Sequence, residues 1–64
     1  MTSTHDDYDQ HAREYAAGLL RAEAEQWKTL AAERKRLGER RMAELALTTS
    51  EWLGFSADWL EAPR

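Results

Sequence analysis

Three groups of side chains in this 64-residue sequence could do chemistry. The first is His5, Asp6, Asp7, Asp9 and His11, which place imidazoles and carboxylates in one short stretch. Those are the ligand types that divalent cations take. Asp7 and His11 are four apart and would share a helix face. The rest of the spacing fits no established metal site, and the stretch lies where backbone tends to fray. A solvated, helix-capping acidic segment is therefore expected, with no metal and no cofactor. No serine, histidine and acid stand in a nucleophile motif, no glycine loop is built to cradle phosphate, and a few helices offer no deep pocket. The sequence reads as a binding protein rather than an enzyme, with no small-molecule substrate.

The second group is the basic run Arg34, Lys35, Arg36, Arg40 and Arg41. Clustered cations are what phosphates attract. At 100° per residue they point around a helix rather than along one face. The whole chain carries a net charge of −3 with a pI near 5.3, which gives no overall pull towards nucleic acid or an anionic membrane. A small DNA-binding transcriptional regulator using residues 34–41 is accordingly the second functional reading.

The third group is Trp52, Leu53, Phe55, Trp59 and Leu60. At helical spacing Trp52, Phe55 and Trp59 lie on one face with Leu60 beside them, while Glu51, Asp58 and Glu61 look outward. Two roles follow from that face. It could dock on a long helix near Trp27 or Leu45 and complete a core, or it could fill pockets on another protein as a helix laid in a groove.

The elements that must position these groups are helices. Eleven alanines, eight leucines and eight glutamates stand beside no valine, no isoleucine and no asparagine, so strand formers are nearly missing. There is no cysteine, hence no disulfide and no thiolate metal site. No apolar run approaches the ~20 residues of a bilayer span, and no signal-peptide pattern stands before the body of the chain. A soluble cytoplasmic protein is the expectation. Arginine outnumbers lysine seven to two beside abundant alanine, as GC-rich coding would give, which points to a bacterial or phage source.

The pattern divides the chain into a disordered tail over 1–6, a long amphipathic helix over 7–46, a turn at 47–50, a short aromatic helix over 51–61 and a tail over 62–64. Thr4 with Asp7 and Thr48 with Glu51 resemble capping boxes at the two helix starts. Gly18 and Gly38 weaken the long helix by ~1 kcal/mol each. Tyr8, Ala12, Tyr15, Ala16, Leu19, Leu20, Trp27, Leu30, Leu37, Gly38 and Leu45 form one apolar arc along it, whose centre line also holds Glu23, Arg34 and Arg41. Charged groups on a buried seam need partners.

Two architectures supply them. In an antiparallel coiled-coil homodimer of extended helices, Leu20 meets Leu37, Trp27 meets Leu30, Glu23 meets Arg34 and Ala12 meets Leu45 of the second copy. The interface is then Leu20, Glu23, Trp27, Leu30, Arg34 and Leu37, and Trp52, Phe55, Trp59 and Leu60 serve a further protein. In a helical hairpin the chain folds near Gly38 and the charged residues sit at the rim. Both are all-α, and both make the protein an interaction module: an adaptor, inhibitor, or assembly or regulatory factor.

A local resemblance lies in the second half. Leu53-Gly54-Phe55-Ser56-Ala57-Asp58-Trp59-Leu60 resembles the closing helix of Cro/repressor-type helix-turn-helix domains. Leu47-Thr48-Thr49-Ser50-Glu51 resembles the start of the motif in excisionase and related regulators. The likeness implies a turn between two short helices. A recognition helix must approach phosphates, yet the segment after Gly54 is acidic, so the run 34–41 would carry any DNA contact.

Overall fold

The computed structural model describes the backbone of residues 3–63 and the side chains of residues 8–63. It is an all-α helical hairpin: α1 spans Ser3–Arg36 and α2 spans Arg40–Glu61. No strand occurs among the described residues. The chain measures 57 × 15 × 10 Å between Cα atoms, two helices side by side.

The reversal at residues 37–39 follows from the sequence around Gly38. Gly38 has φ +82°, a left-handed conformation that costs a side-chain-bearing residue about 1 kcal/mol or more. Its N–H donates to the carbonyl of Lys35 at 3.0 Å, and the N–H of Glu39 donates to that of Arg34 at 2.9 Å. This is the paired bonding of a Schellman cap, and it satisfies two carbonyls that the end of α1 would leave bare. Arg34, Lys35 and Arg36 fill the last turn, where cations meet the negative end of the helix dipole. Arg34 also donates to the Glu39 carboxylate at 3.0 Å, tying one helix end to the start of the next.

α2 ends where proline requires it. Ala62 is extended at φ −64°, ψ 143°, as the residue before Pro63 must be, and its N–H closes on the carbonyl of Trp59 at 3.3 Å.

The expected turn at 47–50 does not form, and neither does the long helix over 7–46. The polar run is absorbed into α2. Thr49 Oγ1 donates to the carbonyl of Leu45 at 2.9 Å, inside its own helix. Ser50 Oγ donates across to the carbonyl of Ala24 in α1 at 2.8 Å and is buried. Thr48 and Glu51 therefore lie within a continuous helix and cap nothing, and the break of a helix-turn-helix is missing. At the other end, α1 reaches back to Ser3, so Ser3–Asp6 are helical rather than a loose tail. Met1, Thr2 and Arg64 fall outside the described residues, as do the side chains of the proposed Thr4–Asp7 cap.

The Ser50–Ala24 bond fixes the register between the helices. Stepping seven residues each way pairs Ala31 with Ala43 and Ala17 with Ala57, and every one of these is buried. The seam is thus built from small residues at heptad spacing, with Arg13, Leu20, Trp27 and Arg34 of α1 and Ala46, Leu53 and Leu60 of α2 half or fully buried between them. It lies one residue away from the line Ala16, Glu23, Leu30 and Leu37 that the apolar arc indicates. Small side chains let two backbones approach closely, so they win the contact once the chain can fold back on itself.

Two substitutions test this account through circular-dichroism melts. Gly38→Ala should lose about 1 kcal/mol because a methyl group is forced to positive φ. Gly18→Ala, in mid-helix with nothing within 4 Å of the added Cβ, should gain up to about 1 kcal/mol. Separately, Ala57→Leu places a large side chain in the closed seam and should cost about 1–3 kcal/mol.

Candidate functional site: an apolar face on the hairpin

With Ala17, Ala24, Ala31 and Ala43, Ser50, Ala57 set at heptad position a, every other residue receives a position around its helix. Arg21 and Glu61 both fall at e, and Arg21 donates to the Glu61 carboxylate and, at 3.0 Å, to Asp58. The e edges of the two helices therefore lie on the same side of the hairpin. Their g edges must lie together on the other.

The two sides differ sharply in chemistry. The side bearing positions e and b carries Glu14, Arg21, Glu25, Lys28, Lys35, Arg40, Glu44, Glu51, Asp58 and Glu61. Glu61 first and then Asp58 hold the Arg21 guanidinium above the ordinary arginine range. Near the turn this side has a shallow groove of about 690 Å³, floored by Ala31, Ala32, Ala43 and Leu47 and edged by Lys28, Lys35 and Arg40. The side bearing g and c holds Ala12, Ala16, Leu19, Gln26 and Leu30 from α1, Leu37 from the turn, and Met42, Leu45, Thr49, Trp52, Ser56 and Trp59 from α2. Its charged residues, among those described, are Asp9, Glu23 and Glu33.

That apolar side is open to solvent. Trp52, Phe55 and Trp59 keep 65%, 63% and 64% of their surface exposed. Leu19, Leu37, Met42 and Leu45 are exposed as well, and Tyr8, Tyr15 and Phe55 stand exposed at the adjoining outward position f. No large side chain is fully buried among the described residues. Trp52 and Phe55 meet edge to face, with ring centroids 6.1 Å apart and planes at 88°, and together with Ser56, Trp59 and Leu60 they line a cleft of about 530 Å³. The aromatic face does not dock near Trp27 or Leu45. Ala57 is buried and Leu53 and Leu60 are half-buried, and Leu60 also borders the aromatic cleft.

The residues expected at an interface between extended helices are redistributed. Leu20, Trp27 and Arg34 are half-buried in the contact with the chain's own α2. Glu23 is exposed and accepts from Trp27 Nε1 at 3.5 Å rather than meeting Arg34, whose partner is Glu39. Leu30 is half-buried at the edge of the open face, and Leu37 stands exposed at the turn. Reversal at Gly38 removes the continuous helix that the pairings Leu20–Leu37 and Ala12–Leu45 require, while the residues of Trp27–Leu30 and Glu23–Arg34 all lie within α1.

The basic residues gather at the closed end. Lys35 and Arg36 finish α1, Arg40 and Arg41 begin α2, and all four are exposed. Of the proposed metal-type cluster, Asp9 pairs with Arg13, and the side chains of His5, Asp6 and Asp7 lie outside the described residues. No group of three or more metal-capable side chains occurs among the described residues. No helix there is long and apolar enough to cross a membrane.

No protein-family model, curated protein or solved structure matches the chain.

The Arg21 pairs are exposed and should respond to salt. Arg21→Gln should lower the melting temperature at ~10 mM salt and leave it close to wild type at ~1 M, where charges are screened within ~3 Å.

Proposed function

We propose that this chain is a protein–protein interaction module, working as an adaptor, inhibitor, or assembly or regulatory factor in a bacterial or phage-infected cytoplasm. One observation carries the reading: six of the ten exposed large apolar side chains among the described residues, Leu19, Leu37, Met42, Leu45, Trp52 and Trp59, stand on one solvent-facing side, while the hairpin's buried positions are alanines and Ser50. A contiguous exposed apolar face rimmed by polar residues is characteristic of a binding surface. Trp52, Phe55 and Trp59 are the anchors, since rigid aromatic side chains concentrate binding energy where they fill a partner's pockets. The action is binding, with no bond made or broken.

A second reading, a small DNA-binding regulator, draws on the turn. Folding at Gly38 brings Lys35 and Arg36 beside Arg40 and Arg41 at one end, a denser positive patch than an extended helix would offer. Glu33, Glu39 and Glu44 are interleaved with it, and Arg34 is engaged by Glu39. Under this reading the chain is retained on DNA at ~50 mM salt and released steeply as salt rises.

The paired variant Trp52→Ala, Trp59→Ala separates recognition from folding. Each truncation is at an exposed site, so the far-UV helical signal of the dilute hairpin should persist, with changes of about 0.5 kcal/mol or less. Affinity capture of a partner chain, its own copy included, should fall. Loss of helicity in the dilute variant would assign these residues to the fold and remove the reading.

A further inference from the structure

We infer that the occupant of the apolar face is a second copy of this chain, docked antiparallel so that the turn of each hairpin meets the open end of the other. The product is a four-helix bundle with a two-fold axis near Thr49. This rests on the interaction reading above and names its partner.

Four features of the structure support it. First, a two-layer helical fold needs large side chains between its layers, and here the buried positions are alanines and Ser50 while Leu20, Trp27, Leu53 and Leu60 are only half-buried; a second hairpin would bring Leu19, Leu30, Leu45 and Trp52 into a core. Second, the face suits a symmetric contact. A two-fold interface must be self-complementary, and a mainly apolar strip along both helices, charged among the described residues at Asp9, Glu23 and Glu33, meets that through its leucines and tryptophans. Third, the area admits a weak dimer. The two-helix-wide part of the face is about 33 Å long, the length of the 22-residue α2, by 15 Å, or about 500 Å² in projection, at the low end of specific interfaces.

Fourth, charge sets the direction. The closed end carries Arg34, Lys35, Arg36, Arg40 and Arg41, while the open end carries Asp9, Glu14, Asp58 and Glu61. Antiparallel docking brings unlike ends together; parallel docking sets like on like. The antiparallel axis also places Trp52 of one copy near the level of Leu30 and Leu45 of the other, large against medium, instead of tryptophan against tryptophan.

Two leucines make the test sharp. Leu45 and Leu47 are 57% and 44% exposed and two residues apart on α2, but Leu45 faces the apolar side and Leu47 the polar side. Sedimentation equilibrium of the full chain from about 1 to about 100 µM should give a dimer at the upper end. Leu45→Glu should weaken association about 100-fold or more, because it places an unpaired carboxylate in the contact, and Leu47→Glu should leave it unchanged. The absence of cysteine allows a direct test of direction. A mixture of Met42→Cys and Ser56→Cys chains should oxidise to the mixed 42–56 disulfide. Each variant alone should stay largely uncrosslinked.

A chain monomeric at ~100 µM overturns the inference, as does association lost through Leu47→Glu and kept in Leu45→Glu. Self-crosslinking at 42 and at 56, without the mixed product, overturns the antiparallel arrangement. A monomer that still captures a distinct protein through Trp52 and Trp59 overturns the second copy alone and keeps the interaction reading. A monomer whose tryptophan variant loses its helices removes both.

Discussion

The close contact between two lines of small residues governs this structure. Ala17, Ala24 and Ala31 face Ala57, Ser50 and Ala43, and the hydroxyl of Ser50 reaches the carbonyl of Ala24 across the gap. Alanine loses no rotamer freedom on burial and keeps helix axes close, but each methyl group contributes only ~0.8 kcal/mol. The seam therefore specifies geometry more than it stabilises. It fixes the spacing of α1 and α2, their register and their rotation, and through rotation it decides what every other side chain faces.

Rotation is where fold becomes surface. Once the small residues take the inside, Leu20, Trp27, Leu53 and Leu60 are only half-covered along the contact, and the other large apolar side chains point outward. They are distributed by heptad position, and Leu19, Leu37, Met42, Leu45, Trp52 and Trp59 reach the side opposite the Arg21–Glu61 pair. A helical hairpin with an alanine seam is thus two-sided by construction: one side charged and hydrated, the other apolar and exposed. A chain of this size has little other apolar surface to use.

The turn contributes a second asymmetry along the axis. A Schellman cap at Gly38 needs glycine at positive φ, and cations in the last turn of α1 complement the helix dipole. Arg40 and Arg41 follow at once on α2. The open end carries Asp9 and Glu14 of α1 and Asp58 and Glu61 of α2. One local feature, the way a helix is ended, therefore gives the hairpin a positive and a negative end, while the seam gives it an apolar and a polar side.

The amino-acid sequence by itself determined that the protein is helical, because residues that favour strands are nearly absent, and it marked Gly38 as a place where a helix could stop. It also set Leu20, Trp27, Arg34 and Arg41 on one line facing a second copy; in the hairpin Leu20, Trp27 and Arg34 are half-buried, and Arg41 stands exposed on α2. What it could not rank was alanine against leucine. Hydrophobic periodicity gives weight to large side chains, so Ala16, Glu23, Leu30 and Leu37 stood out, and the alanines one residue on, at 17, 24 and 31, were silent. The run Thr48-Thr49-Ser50 read as a turn for a similar reason: local propensity sees three residues that compete with the helix, but not the Leu45 and Ala24 carbonyls that accept from two of them. Only the tertiary contact decided these points, since the benefit of a small side chain is realised only when another backbone comes close enough to use the space.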